Sequence, residues 1–236
     1  LYHKQIEIAR GFEKKKCNFL CLDKIFGLRY NKIKKGGRKM KQTLIDITQY
    51  GEDDFARWHL TMQPQRKEKC LRLKQEIARK RCIAADHLVR TVLSEELNRP
   101  AEEIVIEVSP SGKPYLSGNP VYFSVSHSGT MVACVCSDSP VGIDVEQIRP
   151  VLTSAQERIC TTEEWEYLQN ADDEAERNLR FFYLWTRKEA VFKADGILPR
   201  RDQETNVLTP KYGWNVESRI EKGYYISVAE KWRKEG

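Results

Sequence analysis

The 236 residues carry 40 Lys+Arg against 34 Asp+Glu, a formal net charge of +6, and 40% of them are hydrophobic. That composition excludes a disordered chain, and no apolar run approaches the roughly 18–20 residues a membrane-spanning helix needs. The positive excess sits at one end: residues 1–39 hold 12 basic and 3 acidic residues, a net of +9, which leaves 28 basic and 31 acidic residues, a net of −3, for residues 40–236. The folded part therefore lacks the basic surface of a nucleic-acid binder.

Residues 1–39 show no sustained apolar period and run through Gly36-Gly37 into a clean strand pattern. We read them as a basic N-terminal extension, peripheral or disordered. It is an arm that touches RNA or membrane or, the reading we favour, an extension upstream of the true start or a loosely attached tail, and Met40 is the natural start of the domain. "KQTLIDITQY" (41–50) is rich in β-branched and aromatic residues and reads as a strand. A short helix, "EDDFARWHL", follows, and Pro64 opens a basic helix, "PQRKEKC". From 75 to 97, Ile77, Ala84, Leu88, Val92 and Leu97 recur at helical spacing and predict the longest helix, closed by Asn98-Arg99-Pro100. Strands are predicted at 104–108, 121–126, 131–136 and 141–146, separated by turns at Ser109–Gly112 and Asp138–Pro140.

The second half repeats this order. Thr161-Thr162 with Glu164 forms a capping-box start, a helix spans 175–194, and strands "YGWNVES" and "GYYISVAE" close the chain. The pattern is an α+β chain of two lobes, 40–141 and 142–236, related by element order and not by residue identity. The seven cysteines are odd in number and lack CxxC spacing, which points to reduced thiols and a cytoplasmic setting.

Two short stretches carry chemistry. In "VGIDVEQIRP" (141–150), Asp144 and Glu146 share one face of a strand while Ile143 and Val145 share the other. Two like charges side by side are either a solvated strand end or a hard-metal site. In "RFFYLWTRKEAVFKADG" (180–196), Trp185, Glu189 and Lys193 lie on one helix face flanked by Phe181, Phe182, Val191 and Phe192. Glu189 supplies a third carboxylate for an all-oxygen set, and Trp185 reads as a packing anchor.

The ordered pair "GIDVE" and "WTRKEAVFK" resembles the signature of the 4′-phosphopantetheinyl transferases. "FSVSHSG" (123–129) is similar to the family's Ser-His-Ser loop, "GKPYL" (112–116) to its Gly-Lys-Pro turn, and "PQRKEKC" to its N-terminal basic helix. The resemblance covers about residues 40–230, and the length matches the two-lobed, surfactin-synthetase-activating class. It implies two pseudo-symmetric lobes, each a small, mainly antiparallel sheet packed with helices. It also implies transfer of the phosphopantetheine arm of coenzyme A to a serine of an apo acyl or peptidyl carrier protein, with release of 3′,5′-ADP.

Carried over residue by residue, the resemblance gives Asp144, Glu146 and Glu189 as ligands of Mg²⁺, with Mn²⁺ as an alternative metal. Glu189, Lys193 and His127 become the catalytic residues. Arg66, Lys69, Arg81, Lys113, Ser126, His127, Lys188 and Lys193 become the coenzyme A contacts. It further implies a monomer with no membrane partner. The loop from Gly196 to Pro199 departs from the family pattern. Two rival readings keep the same residues: a Mg²⁺-dependent phosphohydrolase or nuclease, and a non-catalytic coenzyme A or nucleotide-binding module.

Overall fold

Each half of the chain builds an antiparallel sheet and lays a 22-residue helix across it. The computed structural model describes residues 29–33, 40–118, 121–196, 205–209 and 213–231. The first sheet holds β1 (Arg29–Ile33), β2 (Met40–Asp46), β5 (Tyr122–Ser128) and β6 (Met131–Ser137) in the order β1-β2-β6-β5. Between β2 and β5 come α1 (Glu52–Thr61), α2 (Pro64–Leu71), α3 (Glu76–Leu97) and a two-residue ladder of β3 (Glu107–Val108) with β4 (Pro114–Tyr115). The second sheet is β7 (Val141–Gln147), β8 (Trp214–Glu221) and β9 (Tyr224–Lys231) in the order β7-β9-β8. Helices α4 (Thr153–Glu157), α5 (Thr162–Gln169) and α6 (Glu174–Asp195) separate β7 from β8.

The apolar periods explain the layering. Ala84, Leu88 and Val92 of α3 pack on Phe123, Val132, Cys134 and Cys136, so one face of β6 belongs to the first lobe's core. The opposite face of β6, Met131, Ala133 and Val135, packs against Val141, Ile143, Val145, Ile226 and Val228 of the second sheet. Strand β6 is thus buried on both faces, and the two sheets lie face to face. Because Ile143 and Val145 point into this intersheet core, Gly142, Asp144 and Glu146 face the other way, toward α6.

The capping box at Thr161 forms as predicted, with Glu164 accepting from the Thr161 amide at 2.9 Å. Helix α6 begins one residue before the predicted start, capped by Asp173, and ends at the left-handed Gly196.

Other segments differ from the sequence reading. The first strand stops at Asp46, whose carboxylate caps a 3₁₀ turn at Ile47–Gln49. Of the run 104–108, only Glu107–Val108 pairs as a strand. The guanidinium of Arg90 takes the carbonyls of Ala101 and Ile104 at 3.0 and 2.8 Å, so the chain is tied to a helix side chain there rather than to a neighbouring strand. The segment 1–39, read as an extension without elements, contributes β1, which pairs with β2 along its outer edge. The expected departure at Gly196–Pro199 lies, beyond Gly196, outside the described residues.

Candidate active site

Strand β5 is the edge of the first sheet, and its serines bridge to β7. Ser124, Ser126 and Ser128 share one face of β5 and accept the amides of Ile143, Val145 and Gln147 at 3.2, 3.3 and 3.2 Å. Two of these hydroxyls then donate to carboxylates of the same strand: Ser126 to Asp144 Oδ1 at 2.8 Å and Ser128 to Glu146 Oε2 at 2.7 Å. The acidic pair is not a solvated strand end, because Asp144 is only 3% exposed.

Helix α6 closes over this pair because residue 142 is glycine. A Cβ at Gly142 would lie 2.0 Å from the Ala190 carbonyl oxygen and 2.5 Å from the Ala194 amide nitrogen. With the helix that close, Lys193 reaches Asp144 Oδ1 at 2.6 Å and Ser126 Oγ at 2.9 Å. Glu189, one turn earlier, lines a cleft of about 250 Å³ with Lys193, Phe192, Phe123, Val125 and Lys113.

Burial first, and then the crowding of anions, sets the electrostatics. Burial raises the pKa of Asp144, and Lys193 and Ser126 offset part of that. Burial and then the neighbouring Asp144 raise Glu146, with Ser128 opposing. Glu189 is pushed up to about 7 by burial and by the charges of Asp144 and Glu146. The three carboxylates therefore occupy one field.

Asp144 Oδ2 is buried without a hydrogen-bond partner, and leaving such an atom unpaired costs on the order of 1–3 kcal/mol. An all-oxygen donor set with an orphaned carboxylate oxygen fits a hard divalent cation such as Mg²⁺. Among the described residues no three His, Cys, Asp or Glu side chains already stand together as a ligand set. The ammonium of Lys193 meanwhile neutralises one side of Asp144.

The residues expected to meet phosphates divide into three groups. His127 points to the opposite face of β5 from Ser126 and Ser128. Partial desolvation, together with the charges of Arg81, Lys193 and Arg66, holds its pKa below the usual imidazole value. Three cations thus act on one imidazole at this side of the site. Arg81 also donates to the Gly129 carbonyl at 3.3 Å, while its buried Nε has no partner. Lys69 is exposed one turn beyond Arg66 on α2.

Lys113 lines the cleft, but its ammonium donates to the Ala194 carbonyl at 2.8 Å near the end of α6, and burial lowers its pKa. Lys188 must be withdrawn from the coenzyme A contacts. It is 2% exposed and joins Glu164 and the Thr205 carbonyl, both at 2.7 Å, on the side of α6 away from the cleft. Trp185 stacks on Phe181 in the second lobe's core, the packing role read from its flanks.

Sequence reasoning missed three supporting residues. Asp86, 3% exposed, holds Arg90 at 3.0 Å and faces Arg66 at 3.6 Å; its only signal was a carboxylate on the apolar face of a helix. Ser124 and Ser128 were readable only as alternation around Ser126. The capping Glu164 gave no sign of its second task, which is to bind Lys188 and the Val207 amide.

Comparison with known proteins points to one family. A model described as "4′-phosphopantetheinyl transferase superfamily" matches residues 140–211, and one described as "4′-phosphopantetheinyl transferase, N-terminal" matches residues 50–139. The chain is 30% identical over 146 residues to the 4′-phosphopantetheinyl transferase Sfp of Bacillus subtilis (strain 168), covering 61% of this chain and 65% of that protein. It is 35% identical over 118 residues to the 4′-phosphopantetheinyl transferase psf-1 of Bacillus pumilus, covering 50% of each. It is 28% identical over 180 residues to the L-aminoadipate-semialdehyde dehydrogenase-phosphopantetheinyl transferase of Xenopus laevis, covering 67% of this chain and 60% of that one. The chain thus spans between half and just under two thirds of the length of these relatives.

Proposed function

The chain belongs to the 4′-phosphopantetheinyl transferase superfamily, in its two-lobed Sfp-like class, and from that premise we propose that it moves the 4′-phosphopantetheine arm of coenzyme A onto a serine hydroxyl of an apo carrier protein. The observation that carries the reading is the buried Asp144, gripped by Ser126 and by Lys193, which with Glu189 lines a cleft. In this reading residues 40–141 and 142–236 are the two lobes, and the site lies in the seam between them.

Asp144, Glu146 and Glu189 would hold Mg²⁺, which when bound offsets charge on the pyrophosphate oxygens of coenzyme A. Arg66, Lys69, Arg81 and His127 supply the donors that a 3′-phosphate and a pyrophosphate need, and charged donors make the stronger bonds to phosphate. Glu189 takes the proton of the carrier serine hydroxyl. The serine oxygen forms a bond to the β-phosphorus as the bond from that phosphorus to the bridging oxygen breaks, and that oxygen leaves on 3′,5′-ADP. Lys193, already against Asp144, offsets the charge on the departing phosphate. The apolar walls Phe123, Val125 and Phe192 limit water at the cleft, which favours transfer over hydrolysis.

Incubating the protein with apo-carrier, coenzyme A and Mg²⁺ and weighing the carrier tests the proposal. The expected result is a carrier heavier by one phosphopantetheine, with 3′,5′-ADP in equal amount. Phosphate or nucleotide released with no change in carrier mass would point instead to a phosphohydrolase. Coenzyme A bound but unaltered would point to a binding module.

A further inference from the structure

We propose that Ser128 is a positioning residue for Glu146: its hydroxyl orients that carboxylate as a ligand for a divalent cation. The inference rests on the reading of Asp144, Glu146 and Glu189 as the metal-binding set.

A serine hydroxyl has one hydrogen to give, and what occupies its lone pairs decides where that hydrogen can point. Ser128 Oγ already accepts the Gln147 amide at 3.2 Å, so its hydrogen goes to Glu146 Oε2 at 2.7 Å. The main chain of β7 thereby dictates, through a side chain of β5, the orientation of a carboxylate on β7 itself. Glu146 needs this help more than Asp144 does. It lies one residue from the end of β7, is only partly buried and has a longer side chain, whereas Asp144 is gripped by both Ser126 and Lys193. Loss of a group that orients a metal's ligand in this way typically costs about 10–100-fold in metal affinity.

The fold supplies its own control. Ser124 repeats the same acceptance from β7, taking the Ile143 amide at 3.2 Å. The β7 residue at its level, two before Asp144, is Gly142, which has no carboxylate to hold. Loss of the Ser124 hydroxyl therefore removes one bond across the seam and nothing else of the carboxylate set.

The test is calorimetric titration of Mg²⁺ into the protein with coenzyme A present and carrier absent, for the parent, Ser128→Ala, Ser128→Thr and Ser124→Ala. Ser128→Ala should weaken Mg²⁺ binding by about tenfold or more. Ser128→Thr, which keeps the hydroxyl, should restore it to within about twofold. Ser124→Ala should bind Mg²⁺ like the parent. In the carrier assay, Ser128→Ala should recover near-parental kcat at saturating Mg²⁺ while the KM for coenzyme A stays put. If alanine at 128 unfolds the seam, Ser128→Cys is nearly the same size and a poor donor, and it should show the same loss.

Parental Mg²⁺ affinity in Ser128→Ala or Ser128→Cys would overturn the proposal. So would an equal loss in Ser124→Ala, which would make the serines mere packing. A parent that takes up no Mg²⁺ even with coenzyme A would instead fell the ligand-set reading, and the role of Ser128 with it.

Discussion

Laying the hairpin turn Gly129-Thr130 on Lys222-Gly223 brings β5 onto β8, β6 onto β9 and β2 onto β7. The ladders then put Thr43 where Asp144 stands, Lys41 where Gly142 stands, Ile45 at Glu146 and Arg219 at Ser126. The molecule therefore has a close seam, β5 against β7, and a looser counterpart where β8 approaches β2, whose outer edge is already paired by β1. At the second, Arg219 donates to Gln42 at 3.0 Å and pairs with Glu221 at 3.3 Å, and Thr43 is fully buried. Lys41 forms an ion pair with Glu95 of α3. At the first, glycine lets a helix descend, and three carboxylates with one lysine share the gap. The frame tolerates either filling because the sheets' apolar faces hold it together. Chemistry enters only where small residues leave room for a helix to bring charge inward.

The sharpest way to break that contrast is to remove the polar function at the matching place of each seam in turn. Asp144→Asn and Glu189→Gln keep size and should each cut transfer to the carrier by roughly a hundredfold or more, as loss of metal-assisted charge stabilisation would. Thr43→Val, at the matching place, should leave the rate within about twofold. A carrier-mass time course separates them, and equal losses at both seams would end the distinction.

Next in size is the close approach of α6. Gly142→Ala should destabilise by about 1–3 kcal/mol in urea unfolding, since the new methyl meets backbone that cannot swing aside. Lys41→Ala, its counterpart, should cost less, since the buried lysine is shortened without a backbone clash and its partner Glu95 stays in reach of water.

In chelator, the uncompensated anions of the first seam repel, so Glu189→Gln should melt a few degrees above the parent, a shift worth about 1 kcal/mol for a chain of this size. Adding Mg²⁺ and coenzyme A should stabilise the parent more than the variant, which keeps the phosphate donors but lacks one metal ligand. A melting curve that ranks the two proteins the same way in both conditions would contradict a shared cation.

The smallest effect belongs to the second seam. Arg219→Met should cost about 1 kcal/mol for its lost hydrogen bond to Gln42 and leave the KM for coenzyme A unchanged. A raised KM would show that this seam also meets substrate.

By itself the sequence determined whatever depends on neighbours a few residues apart. The helical stripe of Ala84, Leu88 and Val92, the capping box of Thr161 and Glu164, and the shared face of Asp144 and Glu146 all follow from periods of 3.6 and 2. The ordered signature from Pro64 to Lys193 carried the family. Tertiary structure decided what depends on register between elements far apart. Lys188 sits beside Glu189 in the chain, but one helical step of about 100° turns it into a buried pair with Glu164. The serines of β5 meet the amides of β7 only because Met131, Ala133 and Val135 pack on Val141, Ile143 and Val145, and so fix how one sheet slides along the other. No local pattern encodes that offset, since it is set by how two apolar faces fit.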